Sequence, residues 1–132
     1  MLVEFLLPRR PIAHQSKDAG KRQRWKEFVA DEARKAWGSQ VLLATSCQVS
    51  IVYFCGEQFA DIDNIIKPIL DAMTGVVYVD DSFVTDVDSH RRPLTATFDF
   101  TRLPALFLTA VATNQECVYV RIALSKSIEF YL

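Results

Sequence analysis

Alternating apolar and polar positions mark the stretches of this chain that predict β-strands. The alternation is strongest in SCQVSIVYF (residues 46–54) and in CVYVRIAL (residues 117–124), which are rich in β-branched and aromatic residues. Shorter stretches of similar character predict further strands at residues 2–7, 76–79, 82–90, 95–100 and 106–111. The pattern therefore predicts a sheet assembled from short strands drawn from both halves of the chain.

Two other stretches repeat their apolar residues at helical spacing. The first runs from about residue 21 to residue 37, where Gly38 supplies a stop, and its apolar stripe includes Trp25 and Trp37. Both tryptophans are therefore expected in the core. The second stretch ends at Gly75 and gathers its apolar residues on one face: Ile65, Ile66, Ile69, Leu70 and Met73.

The start of the second helix is limited by Pro68, because a proline beyond the first turn would break the hydrogen-bond ladder. Asp61 and Asp63 then lie in the loop just before the helix, and either Asp63 or Asn64 is expected at its N-cap. Strand, helix, strand and helix follow one another, and further strands complete the chain. This order predicts an α/β (α+β) fold, a single compact domain over residues 1–132 with two main helices packed on a mixed β-sheet.

Charge is distributed unevenly although the net charge is only -1. Residues 1–37 contain nine Lys or Arg and five Asp or Glu, a local charge of +4, whereas residues 57–88 contain eight acids and a single lysine, a local charge of -7. A basic segment beside an acidic one suits a site that holds cations and faces a polyanion. Segregation of charge without a function remains an alternative at this point.

Several classes of protein are excluded by composition. Half of the 132 residues are hydrophobic, which is too many for a disordered chain. Cys47, Cys55 and Cys117 show no spacing typical of a zinc site or a disulfide framework, and are expected to be buried. The longest late apolar stretch, residues 103–112, is half of the roughly 20 residues that span a bilayer. The chain is predicted to be soluble, cytoplasmic and not associated with a membrane.

The segment ADIDNIIKPILDAMTG, residues 60–75, carries the candidate chemistry. Asp61 and Asp63 are one residue apart, and the pair Asp80 and Asp81 returns further carboxylates after the helix. Mg²⁺ prefers carboxylate oxygens, and acids that converge in this way repel each other unless a cation lies among them. A calcium EF-hand loop is excluded, because Ile65 and Ile66 occupy positions where that loop needs a ligand and a glycine.

Lys67 is one helical turn beyond Asp63, and Asp71 is one turn beyond Lys67. Such spacing is also typical of surface ion pairs along a helix, so this interpretation stays open. Beside a metal, a lysine can instead hold a phosphate, orient an attacking water or balance charge in a transition state. Asn64 is equally consistent with a helix cap and with a catalytic hydrogen bond.

The stretch DIDNIIKPILDAMTGVVYVDDSFV resembles the RusA family of Holliday-junction resolvases, the crossover junction endodeoxyribonucleases. The family motif is D-x-D-N-x-x-K, an aspartate four residues later, a helix that ends at glycine, and then D-D before a strand. Each of its elements is present in this chain: Asp61, Asp63, Asn64, Lys67, Asp71, Gly75, Asp80 and Asp81.

This resemblance implies a RusA-like, homodimeric, Mg²⁺-dependent endodeoxyribonuclease, with Mn²⁺ as a substitute ion, that cuts two opposed strands of a four-way DNA junction in recombination and repair. By position, Asp61, Asp63 and Asp81 correspond to the metal-binding, catalytic carboxylates. Lys67 corresponds to the catalytic lysine near the phosphate that is cut. The remaining motif residues, expected to support the site, are Asn64, Asp71 and Asp80.

The chain departs from the family in two places. The loop PRRPIAHQSKDAGKR keeps mainly its basic character. Five of its residues and Arg24, which follows it, are candidates for contacts with DNA phosphates: Arg9, Arg10, Lys17, Lys21, Arg22 and Arg24. Residues 94–115 form a longer and more apolar connection than compact members have. An extension of the sheet, an extension of a dimer interface, and divergence that impairs stability or junction binding are alternatives for this segment. Two alternatives follow: a RusA-like DNA-binding module that has lost cleavage, or a metal nuclease for other branched DNA or RNA.

Overall fold

Four strands form one mixed sheet in the order β1-β4-β2-β3. In this computed structural model, which describes residues 1–132, β4 is antiparallel to both of its neighbours and β3 is parallel to β2. The strands are β1 (Val3–Leu7), β2 (Cys47–Cys55), β3 (Val84–Pro93) and β4 (Cys117–Leu124). The strands predicted at residues 2–7, 46–54, 82–90 and 117–124 are confirmed with small shifts of their ends.

Three helices accompany the sheet: α1 (Ala19–Trp37), α2 (Ile66–Met73) and α3 (Ala105–Ala112). At the start of α1, the carboxylate of Asp18 accepts a hydrogen bond of 3.0 Å from the N–H of Lys21. The helix ends at Gly38, which adopts a φ of 70° and donates its N–H to the carbonyl of Arg34. The α+β architecture is confirmed, with one helix more than the sequence predicted.

The predicted N-cap of α2 is wrong. Residues Ile62–Ile65 form a 3-10 turn that continues directly into α2, and Ile65 occupies the cap position without any side-chain hydrogen bond. Asp63 and Asn64 lie inside that turn, because the chain enters the helix through a tighter coil rather than from an extended residue. Pro68 is the third residue of α2, within the first turn as predicted.

The main core lies between one face of the sheet and the first two helices. Trp25, Val29 and Trp37 of α1 and Ile69 and Met73 of α2 are almost completely buried there. They pack against inward-facing strand residues: Val3, Phe5, Leu7, Cys47, Val49, Ile51, Tyr53, Val118, Val120 and Ile122. The burial of both tryptophans and of Ile65, Ile69 and Met73 confirms the amphipathic patterns, while Ile66 and Leu70 of the predicted stripe are partly buried against the same core. All three cysteines are buried free thiols.

The opposite face of the sheet carries a smaller cluster, built on Phe54, Phe107, Ala110, Cys117 and Tyr119. Phe107 and Ala110 belong to α3, so the strand predicted at residues 106–111 is wrong. This segment is apolar nearly all round, and alternation cannot then be distinguished from helical spacing. None of the helices combines the length and the apolar character that crossing a bilayer requires.

Residues 95–100 are also not a strand. They form a turn that leads into a 3-10 turn at Phe100–Arg102, where the carboxylate of Asp99 accepts a hydrogen bond of 3.1 Å from the N–H of Thr101. Local bonds of this kind satisfy backbone donors without a neighbouring strand.

Residues 76–79 do not form the predicted strand either. Gly75, with a φ of 77°, donates its N–H to the carbonyl of Tyr78 at 2.8 Å, which closes a turn directly after α2. Tyr78 is fully buried and its hydroxyl donates to the carbonyl of Leu70 at 2.6 Å. The apolar character of this segment therefore reflects a buried turn, and Asp80 and Asp81 follow that turn rather than a strand.

Candidate active site

The candidate site lies along the crossover between the parallel strands β2 and β3. Asp61 and Asp63 come before α2, and Asp81 comes after it. The segment that leads to Asp61 is anchored by Arg91 of β3, whose guanidinium donates to the carbonyl of Ala60 at 3.4 Å and lies 3.9 Å over the ring of Phe59. Nothing in the spacing of the sequence indicated a role for Arg91, since this contact depends on the parallel pairing of β3.

Asp61 and Asp63 are both solvent-exposed. The side chain of Asp61 makes no capping hydrogen bond, although its carbonyl accepts the N–H of Asn64 at 3.0 Å. Neither carboxylate is used in a hydrogen bond or an ion pair within the chain. Both groups therefore keep all their oxygens available to a ligand.

Lys67 lies between two aspartates. Its ammonium is 2.9 Å from Oδ1 of Asp71 and 3.9 Å from Oδ2 of Asp81, while its side chain is 55% exposed. The hydrogen bond to Asp71 and the charge of that carboxylate raise the pKa of Lys67; desolvation opposes them, and the charge of Asp81 raises the pKa by a smaller amount. Lys67 is therefore a charged donor that is held in place yet open to solvent. The structure brings Asp71 and Asp81 to it, whereas Asp63 makes no ion pair with it.

Asp71 also contacts a second lysine. Its other oxygen, Oδ2, lies 3.8 Å from the ammonium of Lys26 on α1. Sequence reasoning missed Lys26, because the contact depends on how α1 packs against α2 and leaves no signature in residue spacing. The site thus draws its charged groups from both helices that cover the main core.

Asp80 and Asp81 have different surroundings although they are adjacent. Asp80 accepts a hydrogen bond of 3.1 Å from the N–H of Ser82 and caps the 3-10 turn Asp81–Phe83. Hydrogen bonds from the side chain and the N–H of Ser82 lower the pKa of Asp80. Asp80 therefore fixes the turn from which Asp81 approaches Lys67.

Asn64 connects the site to the amino-terminal loop through its backbone. Its carbonyl accepts a hydrogen bond of 2.8 Å from the N–H of His14, whereas its amide side chain caps no helix. The side chain of Asn64 is therefore free to contact a substrate, and the loop is held against the acidic motif.

A metal site is not closed in this structure, since no group of three or more His, Cys, Asp or Glu side chains lies close enough to hold an ion. Asp61 and Asp63 lie at the 3-10 turn that precedes α2, whereas Asp81 lies in the 3-10 turn that follows it, so separate turns of the chain hold these carboxylates. The donor chemistry nevertheless fits a hard divalent cation, because Asp61, Asp63 and Asp81 offer carboxylate oxygens with few competing contacts. Their role as metal ligands stays a prediction.

A cleft of about 330 Å³ opens between the amino-terminal loop and α1, and we call it the basic cleft. It is lined by four cationic and two apolar residues: Arg9, Arg10, Ile12, Lys21, Arg24 and Trp25. The other two candidates for DNA contacts, Lys17 and Arg22, lie outside this lining. Arg22 instead donates to the carbonyl of Ser16 and so shapes the loop.

Comparison with known families identifies a nuclease family. The sequence model of the family described as endodeoxyribonuclease RusA matches residues 8–93. No curated protein sequence matches the chain. The matched region runs from the basic loop to the end of β3, about two thirds of the 132 residues. It includes the whole acid–lysine motif, residues 61–81. The chain therefore belongs to the RusA family of endodeoxyribonucleases.

Proposed function

We propose that this protein is a divalent-metal-dependent endodeoxyribonuclease that resolves four-way DNA junctions in recombination and repair, and that it does so as a homodimer. The observation that carries this proposal is the position of Lys67, an exposed ammonium held 2.9 Å from Asp71 and 3.9 Å from Asp81. The uncommitted carboxylates of Asp61 and Asp63 stand just before it in a chain that belongs to a nuclease family.

Asp61, Asp63 and Asp81 would hold Mg²⁺, for which Mn²⁺ could substitute. When bound, the ion supplies an activated water and polarises a phosphoryl oxygen. The exposure of Asp61 and Asp63 suits this role, because carboxylates that face solvent can share an ion that keeps several of its own waters.

Lys67 binds an oxygen of the phosphate to be cut and stabilises the charge that develops there. Its side chain is flexible enough to reach a phosphate, while Asp71 keeps it charged and limits where it can go. Lys26 offsets part of the negative charge of Asp71 from the other side. Asp80 supports the site by fixing the turn that carries Asp81, and the free amide of Asn64 is available to a substrate oxygen.

A homodimer suits this chemistry, because a protein with two-fold symmetry can place two such sites on a nearly symmetric junction. The surface of α3 offers apolar side chains for contact with a second copy, since Leu106 is 39% exposed and Leu108 is 42% exposed.

The test is cleavage of an end-labelled four-way junction beside one of its arms as linear duplex, in Mg²⁺ and in EDTA. We expect paired nicks in the junction alone, lost in EDTA and in Asp63→Asn. Asp31→Asn is the matched control, because Asp31 is an exposed aspartate on α1 that pairs with Arg34, outside the site. Cleavage that survives Asp63→Asn contradicts the proposed site, and equal cutting of linear duplex contradicts the proposed substrate.

A further inference from the structure

One residue that lines the basic cleft carries an uncommitted hydrogen-bond donor. Trp25 lines the cleft and is only 4% exposed, yet its indole N–H is buried without any acceptor in the chain. The other tryptophan of α1 is satisfied, because the indole N–H of Trp37 donates to the carbonyl of Gln40 at 3.2 Å. Buried polar groups normally have partners, so the indole N–H of Trp25 is a donor for which the chain supplies no acceptor.

The cationic side chains of the cleft form no ion pairs, and the nearby acid is Asp18, whose pKa is lowered by its hydrogen bond to the N–H of Lys21 and by the charges of Lys21 and Arg24. Arg9, Arg10, Lys21 and Arg24 line the cleft, and none of them takes part in an ion pair within the chain. At the other end of α1, by contrast, Arg34 pairs with Asp31 at 2.9 Å and Lys35 pairs with Glu32 at 3.2 Å. Of the six cations of α1, the three nearer its carboxyl end form ion pairs (Lys26, Arg34 and Lys35), whereas the three nearer its amino end form none (Lys21, Arg22 and Arg24).

Two of these arginines are placed by their surroundings. The guanidinium of Arg9 lies 3.8 Å over the ring of Phe28, which holds it at the rim of the cleft. Arg24 lies next to Gly20, where an added Cβ would come within 3.1 Å of its Nη1 atom. Glycine at this position leaves Arg24 the space it occupies.

We propose that the basic cleft binds one backbone phosphate of the DNA substrate, distinct from the phosphate that is cut, with the indole N–H of Trp25 as one of its donors. This inference rests on the proposed function for the identity of the ligand. A phosphodiester offers oxygens to several donors at once, and arginine pairs with it through two N–H groups. The cleft, about 330 Å³, is within the range of small-ligand sites and accepts a phosphate with part of a sugar.

The position of the cleft gives this phosphate a role in choosing the cut. Lys26, the residue after Trp25, lies 3.8 Å from Asp71 in the candidate active site. Lys21 is five residues earlier, about 7.5 Å along the helix axis. The loop between Arg10 and Lys21 is also tied to the motif through His14 and Asn64, at 2.8 Å. A DNA strand whose phosphate is held in the cleft is thereby fixed relative to Lys67. This determines which phosphodiester bond reaches Asp61, Asp63 and Asp81.

The test is a nuclear magnetic resonance titration of the two indole N–H groups with a short single-stranded thymidine oligonucleotide in EDTA, where no cutting occurs. We expect the Trp25 resonance to move and to saturate, whereas that of Trp37 stays in place. Arg24→Gln should weaken binding about tenfold, as expected for one hydrogen bond to a charged group. Arg34→Gln on the same helix is the matched control and should bind normally.

The proposal would be overturned if the Trp25 resonance did not move or if both indole resonances moved equally. It would also be overturned if Arg34→Gln weakened binding as much as Arg24→Gln. Inorganic phosphate is a separate arm, and binding as tight as that of the oligonucleotide would overturn the assignment to DNA. Trp25→Phe removes the indole N–H but also alters the core. Its effect on binding is therefore compared with that of Arg24→Gln, which leaves the core intact. Junction cleavage is measured separately. A protein that does not cut the junction but whose Trp25 resonance still moves refutes only the nuclease proposal. A protein that cuts the junction but whose Trp25 resonance does not move refutes only the proposed phosphate site in the cleft.

Discussion

The two faces of the sheet differ in what their side chains do. On one face, α1 and α2 bury a continuous apolar core and leave charged residues at their edge, where Lys26, Lys67 and Asp71 meet. On the other face, α3 buries Phe107 against Phe54 and Tyr119 and contributes no charged group. The family match ends at residue 93, before α3. The candidate chemistry thus lies on the face covered by α1 and α2, both within the matched residues, whereas the helix that covers the other face lies outside them.

The second face is not entirely apolar, because it holds a closed polar network. Asp88 accepts hydrogen bonds from Ser50 at 2.7 Å, from Gln48 at 3.0 Å and from His90 at 3.0 Å. Burial raises the pKa of Asp88, but the hydrogen bonds from Ser50, Gln48 and His90 outweigh that effect and lower it overall. In contrast to Asp61 and Asp63, this carboxylate has its oxygens committed to the chain, which indicates a structural role.

Lys67→Ala is the most direct test of whether the chemistry belongs to the face covered by α1 and α2. We expect junction cleavage under single-turnover conditions to fall by about 10³-fold, because a charge-stabilising donor at the phosphate is removed. The unfolding midpoint should stay within the error of the measurement, since Lys67 is largely exposed. Lys35→Ala, an exposed lysine on α1, is the matched control. A variant that loses stability rather than activity would place Lys67 in the fold and not in the chemistry.

For Phe107→Ala we expect a large loss of stability without a loss of activity. Phe107 is 2% exposed, and its ring centroid lies 4.8 Å from that of Phe54 and 4.7 Å from that of Tyr119. Truncation should lower the free energy of unfolding by about 3 kcal/mol, measured by urea denaturation, while cleavage per folded molecule stays normal. Leu108→Ala on the exposed side of α3 should cost little. Loss of cleavage without loss of stability in Phe107→Ala would show that the second face takes part in the function.

The smallest effect is expected for Asp88→Asn, and it depends on pH. Because the folded-state pKa lies below its ordinary value of 3.8, the charged carboxylate stabilises the fold above about pH 4 and loses that contribution as the pH falls through the folded-state pKa. At pH 7 the variant should lose about 1 kcal/mol, a modest value because over a third of the side chain is exposed.

Urea denaturation between pH 2 and pH 7 measures this dependence. The gap between the wild type and Asp88→Asn should close toward the acid end, whereas Asp86→Asn, on the same strand, should follow the wild type. A gap that is constant over the whole range would mean that the amide changes packing and that the charge of Asp88 contributes nothing.

Much of the first face was predictable from the sequence, and little of the second. The amphipathic patterns of α1 and β2 are long enough to specify their type, and the spacing of Lys67 and Asp71 predicts their ion pair. The segment of α3 is apolar on all sides, so the spacing of its apolar residues could not distinguish a helix from a strand. Contacts made by Lys26, Arg91 and His14 join residues that are distant in the chain, so they depend on packing that no local pattern records. The 3-10 entry to α2 was hidden because Asp63 and Asn64 look like ordinary caps.

The place of β4 in the sheet has a consequence for how the protein is made. All backbone partners of β1 belong to β4, which also forms one of the two neighbours of β2. When residues 8–93 have left the ribosome, the whole acid–lysine motif is present, but β1 has no strand to pair with. The surface on which α1 and α2 settle becomes continuous only after residue 124 has been translated. Strand order thereby makes assembly of the candidate site depend on a strand that follows the motif in the chain, and a chain that terminates before β4 carries the motif without the platform that positions it.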